Sequence, residues 1–127
     1  MGFDLSITVE YYLCPETGKP YYISKRTFEK IYTTPELRIP EHLRKYLQGR
    51  GRIFHMYVHE FDSNDMTRTD VDSFLHEYPL WNQVRDSCWY DESWEGIWDE
   101  KEHNEFRELL THLSEAYDCH FNVDWSY

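Results

Sequence analysis

The chain has 127 residues and a formal net charge of −11, and this length fits one domain built around one hydrophobic core. Aromatic residues make up 18% of the sequence, whereas disordered chains contain few of them, so a largely disordered protein is excluded. The low counts of 5 glycines and 5 prolines exclude collagen-like and low-complexity chains. We therefore expect a single folded domain over residues 1–127.

Cysteine usage and hydropathy indicate the compartment. Cys14, Cys88 and Cys119 form an odd and widely spaced set, which is atypical of a disulfide framework and favours a reducing environment. The first residues lack the basic and apolar regions of a secretory signal, and no apolar stretch is long enough to span a membrane. The sequence therefore predicts a cytoplasmic protein without a membrane segment.

Acidic residues are concentrated in the second half of the chain. Residues 1–60 hold 9 basic and 7 acidic side chains, whereas residues 61–127 hold 4 basic and 17 acidic ones together with all 5 tryptophans. A phosphate backbone attracts Lys and Arg, so this half is unsuited to direct nucleic-acid binding. An acidic surface interleaved with tryptophan is typical of a face that docks on basic proteins.

Strand patterns stand at both ends of the chain and near its middle. Apolar and polar residues alternate from Phe3 to Leu13, which predicts a strand with Ile7 and Val9 in the core, and the turn residues 14–20 predict a hairpin to a second strand at 21–23. The run 53–61 is apolar in both strand phases and favours a central strand. A closing strand is predicted near the C-terminus, with Cys119, Phe121, Val123 and Trp125 facing inward.

The histidines of the central run have the spacing of a metal pair only if they lie on a helix. His55 and His59 are four residues apart, and on a strand this separates them by about 13 Å, too far to share a metal ion. We interpret them as packing residues or as part of a polar groove.

Helical spacing of apolar residues predicts short helices and one long one. Two short helices are expected near 25–32 and 40–48, a third after Thr69 as its N-cap, and a fourth around Trp81. The long helix covers about 99–117, and we expect its residues His103 and His112 to be solvated. The order of elements predicts an α+β domain with a small antiparallel or mixed sheet of about four strands and helices packed on one face.

Residues 91–102 resemble an EF-hand loop, with oxygen side chains at the usual ligand places and Gly96 at the sixth. The candidate calcium ligands are Asp91, Ser93, Glu95, Asp99 and Glu102. Glu95 is bulky for its place, and no partner loop is present. The same letters fit Asp99 as the N-cap of the long helix with Glu102 as its third residue, and this interpretation is favoured. We therefore expect no bound metal and no cofactor.

Three functional classes are compatible with these features. The favoured one is a protein-binding module that occludes a basic partner, as an inhibitor, an immunity-like protein, a nucleic-acid mimic or an assembly subunit. Its expected contact residues are Trp89, Asp91, Glu92, Trp94, Glu95 and Trp98. The alternatives are a small enzyme that uses carboxylates and histidines in a groove, and the calcium-binding protein. No residue is assigned a catalytic role, and the oligomeric state is left open.

Overall fold

The fold combines an antiparallel sheet with helices. The computed structural model describes residues 2–13, 20–22, 39–63, 65–88, 90–115 and 119–126. The strands in these ranges are β1 (Asp4–Leu13), β2 (Pro20–Tyr22), β3 (Gln48–Arg50), β4 (Arg68–Asp70) and β5 (Cys119–Ser126). The strand order in the sheet is β2, β1, β5, β4. Strand β2 pairs with the C-terminal end of β1 and β3 pairs with its N-terminal end, so the sheet is four strand positions wide. This confirms the predicted α+β class.

The alternation of β1 gives the sheet one apolar face. Leu5 lies opposite Trp125 and Ile7 opposite Val123 on the central neighbour β5, and all four side chains are buried. On the other face, Asp4 forms an ion pair with Arg50 of β3, and Thr8 donates a hydrogen bond to Asp124 of β5. The predicted first strand is confirmed, and the strand predicted at 21–23 is present as Pro20–Tyr22, antiparallel to β1. Residues 14–19 of the predicted turn and the side chain of Val9 are outside the described set.

Four α-helices are found in the described ranges: α1 (Arg52–Asp62), α2 (Val71–His76), α3 (Trp81–Arg85) and α4 (Glu100–Ser114). Two 3₁₀ helices accompany them, at Glu41–Leu47 and Glu92–Trp94. The helix predicted near 40–48 is therefore present as a 3₁₀ helix. Helix α3 confirms the short helix predicted around Trp81, and α4 confirms the long helix predicted at about 99–117. The helix predicted at 25–32 lies outside the described residues.

The helices and the apolar sheet face enclose one core. Phe61 of α1 packs against Trp125 of β5 with ring centroids 5.9 Å apart, and against Phe74 of α2 at 5.8 Å. From α4, Phe106, Leu109, Leu110 and Leu113 are buried in the same cluster. Burial of side chains this large contributes about 1.5–3 kcal/mol each, which makes this core the main source of stability.

The predicted central strand at 53–61 is wrong, because these residues form α1. The helix buries Phe54, Tyr57, Val58 and Phe61, which recur at spacings of three, four and seven residues, as in an amphipathic helix. The apolar residues of this segment therefore fit both the strand period and the helix period. Gly49 of β3 permits the helix, because a Cβ at that position would lie 2.2 Å from the ring of Phe54. The ring at the start of α1 needs the space that glycine leaves.

On a helix, His55 and His59 have the spacing that could bring both imidazoles to one metal ion. The observed contacts of the two rings are as follows. His55 Nε2 lies 3.1 Å from Asp62 Oδ2, while the ring of His59 is turned to Met56 O and to Glu60. The two imidazoles thus have different partners. In the part of the chain that the structure describes, no cluster of three or more His, Cys, Asp or Glu side chains is placed to hold a metal ion.

The start of α2 and two short strands differ from the sequence prediction. The N-cap of α2 is Asp70, whose side chain accepts a hydrogen bond from Ser73 N, and not Thr69. Thr69 lies in β4 opposite Val123 and is buried. Strands β3 and β4 were not predicted, because three residues are too few to show a period and each forms by pairing with a longer neighbour.

We expect Ile7→Asp to lower the free energy of unfolding by about 4 kcal/mol or more, because it places an unpaired carboxylate in the core. Ile7→Val is the matched control and should cost about 1 kcal/mol. Chemical denaturation of the three proteins measures both changes. An Ile7→Asp midpoint equal to that of the wild type would contradict the inward placement of Ile7.

Candidate functional site

A buried hydrogen-bond network joins α1, the segment after α2, the loop before α4, and α4 itself. His103 of α4 has Nδ1 2.7 Å from the hydroxyl of Tyr57 and Nε2 3.0 Å from Pro79 O. The indole Nε1 of Trp98 donates to the Tyr57 hydroxyl at 2.9 Å, and the Tyr78 hydroxyl donates to His103 O at 2.6 Å. Tyr57, Tyr78, Trp98 and His103 are buried, and Pro79 is half-buried.

The partners fix the protonation state of His103. A carbonyl oxygen can only accept, so Nε2 carries the hydrogen toward Pro79, and Nδ1 accepts from Tyr57. Burial lowers the pKa of His103 to about 4, since the core disfavours a charged imidazolium. Burial likewise raises the pKa of Tyr57 and of Tyr78 above their ordinary value. The network is therefore neutral throughout.

Two sequence expectations about this network are wrong. His103 was expected to be solvated and Trp98 to be an exposed contact residue, yet they are 2% and 5% exposed. His103 precedes Phe106 and Leu110 by three and seven residues, so it belongs to the apolar stripe of α4. Trp98 stands between acidic residues in sequence, but its ring packs on Phe54 and its N–H needs a buried acceptor. A buried ring cannot contact a partner.

The network supports a partly exposed chain of aromatic rings. Trp81 of α3 lies 5.5 Å from the imidazole of His103 and 5.7 Å from the ring of Tyr90. Tyr90 in turn lies 5.9 Å from Trp94 in the second 3₁₀ helix. All three rings are half-buried and pack against the core. They lead from the buried imidazole to the protein surface.

Exposed apolar and acidic side chains accompany these rings. Leu80, next to Trp81, is 64% exposed, and Ile97, close to Trp94, is 66% exposed. Carboxylates of the same loop are exposed as well. We call this set the acidic aromatic surface, and its members are Leu80, Trp81, Tyr90, Asp91, Glu92, Trp94, Glu95 and Ile97.

Three exposed carboxylates, those of Asp91, Glu92 and Glu95, contribute negative charge to this surface. The pKa of Tyr90 is raised by partial burial and then by the carboxylates of Asp99, Glu95 and Glu92. Asp91 differs from them: its pKa is lowered by hydrogen bonds from Ser93, with a smaller contribution from Arg52. Glu92 and Glu95 are exposed, and their charges act on the hydroxyl of Tyr90.

Of the six predicted contact residues, the structure places four together. Asp91, Glu92 and Glu95 are exposed and Trp94 is half-buried in one loop, whereas Trp98 is in the core and Trp89 lies outside the described residues. Sequence reasoning did not find Leu80, Trp81, Tyr90 and Ile97. Contact between Trp81 and Tyr90 joins segments that no periodic pattern connects.

Three carboxylates of the EF-hand-like loop accept hydrogen bonds from backbone N–H groups of the same loop. Asp91 Oδ1 accepts from Ser93 N at 2.9 Å, and Asp99 Oδ2 accepts from Gly96 N at 2.8 Å. Glu102 Oε2 accepts from Asp99 N at 2.9 Å, as in a capping box. Asp99 is the N-cap of α4, which confirms the favoured interpretation of this loop.

A cleft of about 460 Å³ lies on another side of α4, against the first 3₁₀ helix. Its lining residues are Pro40, Leu43, Asn104, Arg107, Glu108, Thr111, His112 and Glu115. Glu108 lies 3.8 Å from His42 Nε2 in a pair that is largely exposed to solvent. A groove enzyme would use this mixture of imidazole and carboxylate groups, and that alternative stays a prediction.

The chain matches no model of a known protein family, no curated protein and no solved structure. Among the described residues, none of the helices is long and apolar enough to cross a bilayer.

We expect stability to fall as the pH is lowered from about 6.5 to about 4 because of His103. Its folded pKa is about 4 and its unfolded pKa about 6.5, so the unfolded chain binds more protons in this window. The neutral imidazole of His103 contributes about 3 kcal/mol to the free energy of unfolding at neutral pH, and this contribution is lost by pH 4. Urea denaturation across this range should give a shallower pH dependence for His103→Gln. Identical pH profiles would contradict a neutral buried His103.

We expect titration calorimetry at millimolar calcium to show no specific heat and no shift in melting temperature. The physical reason is that the carboxylates of Asp91, Asp99 and Glu102 are already hydrogen-bonded to backbone N–H groups. Glu102→Gln keeps the capping interaction and serves as the control. Micromolar affinity that disappears in this variant would support the calcium-binding class.

Proposed function

We propose that the protein is a binding module that docks on a basic protein partner through the acidic aromatic surface. The observation that carries this proposal is the exposure of Ile97 and Leu80, about two-thirds each, beside half-buried aromatic rings and exposed carboxylates. Large apolar side chains with a polar rim are typical of protein interaction sites. The inhibitor, immunity-like, mimic and subunit roles all require such a face.

The apolar members supply the anchors of the proposed interface. Ile97 follows Gly96, whose φ of +80° is favourable only for glycine and sets the turn that presents the isoleucine. Burying such a side chain in a complex contributes about 1.5–3 kcal/mol. Trp94 and Tyr90 belong to the residue types that are enriched at the energetic centres of interfaces.

Charge supports a basic partner. The chain carries a net charge of −11, and Asp91, Glu92 and Glu95 surround the aromatic residues in sequence. Opposite charge accelerates encounter, and this acceleration weakens with salt. Acidic groups of this kind repel the phosphates of a nucleic acid, so a basic protein surface is the complementary partner.

A rigid foundation also favours binding. Pro79, which precedes Leu80, accepts a hydrogen bond from His103, and Trp98, which follows Ile97, donates one to Tyr57. The chain before Leu80 is therefore held to α4 through the backbone carbonyl of Pro79, and the chain after Ile97 is held through the buried indole of Trp98. Pre-ordered groups lose less entropy when a complex forms.

We expect the association rate with a partner captured from the native source to fall steeply as salt rises. Glu92→Gln combined with Glu95→Gln should lower that rate severalfold at low salt, because steering depends on charge. Ile97→Ser should mainly increase the dissociation rate, because it removes an apolar contact. Surface plasmon resonance at several salt concentrations measures both rates.

Glu60→Gln combined with Glu115→Gln is the matched control, since it removes the same charge from exposed residues near the C-terminal ends of α1 and α4. Glu115 is 15 residues from Glu100, or about 22 Å along the helix. This control should change the association rate less than the loop variant does. Equal effects of the two double variants, or an Ile97→Ser protein that dissociates like the wild type, would contradict docking at this surface.

A further inference from the structure

Two perpendicular ring pairs share Tyr90. The planes of Trp81 and Tyr90 meet at 89°, and those of Tyr90 and Trp94 also meet at 89°. Edge-to-face pairs of this kind leave part of a ring's negative face uncovered by its neighbour. All three side chains are only half-buried, so part of each is open to solvent.

Carboxylates add a second, independent source of attraction for a cation. Glu92 and Glu95 are exposed on the loop that contains Tyr90 and Trp94, and together with Asp99 they raise the pKa of Tyr90 beyond the effect of burial. Glu102 caps the backbone, and Asp99 accepts from Gly96 N, so these two carboxylates are already engaged. Glu92 and Glu95 are exposed, and among the described residues their side chains form no ion pair, so they are the carboxylates that we assign to the cation.

The two features together select among cations. A lysine ammonium is strongly hydrated and loses much of its hydration against a ring, whereas a guanidinium is weakly hydrated. Its flat face stacks on an aromatic ring, and its edge donates two hydrogen bonds to one carboxylate. Aromatic rings beside exposed carboxylates suit both the flat face and the edge of a guanidinium.

We infer that the acidic aromatic surface binds an arginine side chain of its partner, with the guanidinium over the rings of Trp81, Tyr90 and Trp94 and its N–H groups directed to Glu92 or Glu95. This inference depends on the proposed function, because it names the group that the docking surface recognises. Arginine is also the basic residue most enriched in protein interfaces.

The test is a titration of the full chain, with ¹⁵N-labelled tryptophan, with Nα-acetyl-arginine amide, followed through the indole N–H resonances. We expect the signals of Trp81 and Trp94 to shift and to saturate in the millimolar range. Trp98 and Trp125 are internal controls that should not move, because both are buried and their N–H groups bond to Tyr57 and Asp62. Nα-acetyl-citrulline amide, a neutral molecule of almost the same shape, should cause no saturable shift.

Variants assign the binding to the rings and the carboxylates. Tyr90→Leu should weaken binding about two- to fivefold, the size of an exposed cation–π contact, while Tyr90→Phe retains the ring and should bind like the wild type. Glu92→Gln combined with Glu95→Gln should also weaken it, and these exposed positions leave the fold intact. The comparison of arginine with citrulline uses the wild type, so it does not depend on the folding of any variant.

Equal shifts with citrulline would overturn the inference, because charge would then play no part. Equal affinity for Nα-acetyl-lysine amide would overturn the choice of arginine, and shifts of all indole signals would indicate an unspecific effect and overturn it too. If arginine amide causes no shift while partner association still depends on salt and on Glu92 and Glu95, the inference fails and docking at this surface stands. Loss of both would remove the proposed function as well.

Discussion

The neutral hydrogen bond between the Tyr57 hydroxyl and Nδ1 of His103 is the interaction on which the rest of the structure depends. Through it and its neighbours, four separate segments of the chain meet at one imidazole. Each polar atom of the network has a partner, so burying it avoids the penalty of about 1–3 kcal/mol for an unsatisfied group. Stacking of the Tyr57 and Tyr78 rings, with centroids 4.9 Å apart, holds the two hydroxyls on the same histidine.

The same network gives the protein its candidate surface. Its hydrogen bonds end at Pro79 and Trp98, and the exposed residues Leu80 and Ile97 directly adjoin these two positions. Apolar and acidic side chains can therefore be exposed here while the residues next to them, Pro79 and Trp98, are held by the buried network. Asp91, Asp99 and Glu102 accept hydrogen bonds from the backbone N–H groups of Ser93, Gly96 and Asp99. Rigidity and exposure at this place are two consequences of one buried arrangement.

Long periodic elements could be predicted from the sequence, and short or ambiguous ones could not. The alternation of β1 and the stripe of α4 each span ten or more residues, enough for one period to dominate. Residues 53–61 fit both periods, and the helix prevailed because Phe54, Tyr57, Val58 and Phe61 all reach the core only in that form. Strands β3 and β4 exist through their pairing with β1 and β5, an interaction between distant segments.

For the candidate site, the sequence by itself determined that most acidic residues and all tryptophans lie in the second half of the chain, because their positions can be counted without knowing the fold. It also determined the cap of α4, since Asp99 and Glu102 interact across a single turn. Only the tertiary structure decided which aromatic residues are exposed. Trp98 and Trp94 have similar acidic neighbours, yet a buried acceptor at Tyr57 draws the indole of Trp98 inward, while Trp94 packs on Tyr90 at the surface. The exposure of each tryptophan depends on contacts with residues that are distant in sequence, and the residues next to it in the sequence do not indicate those contacts.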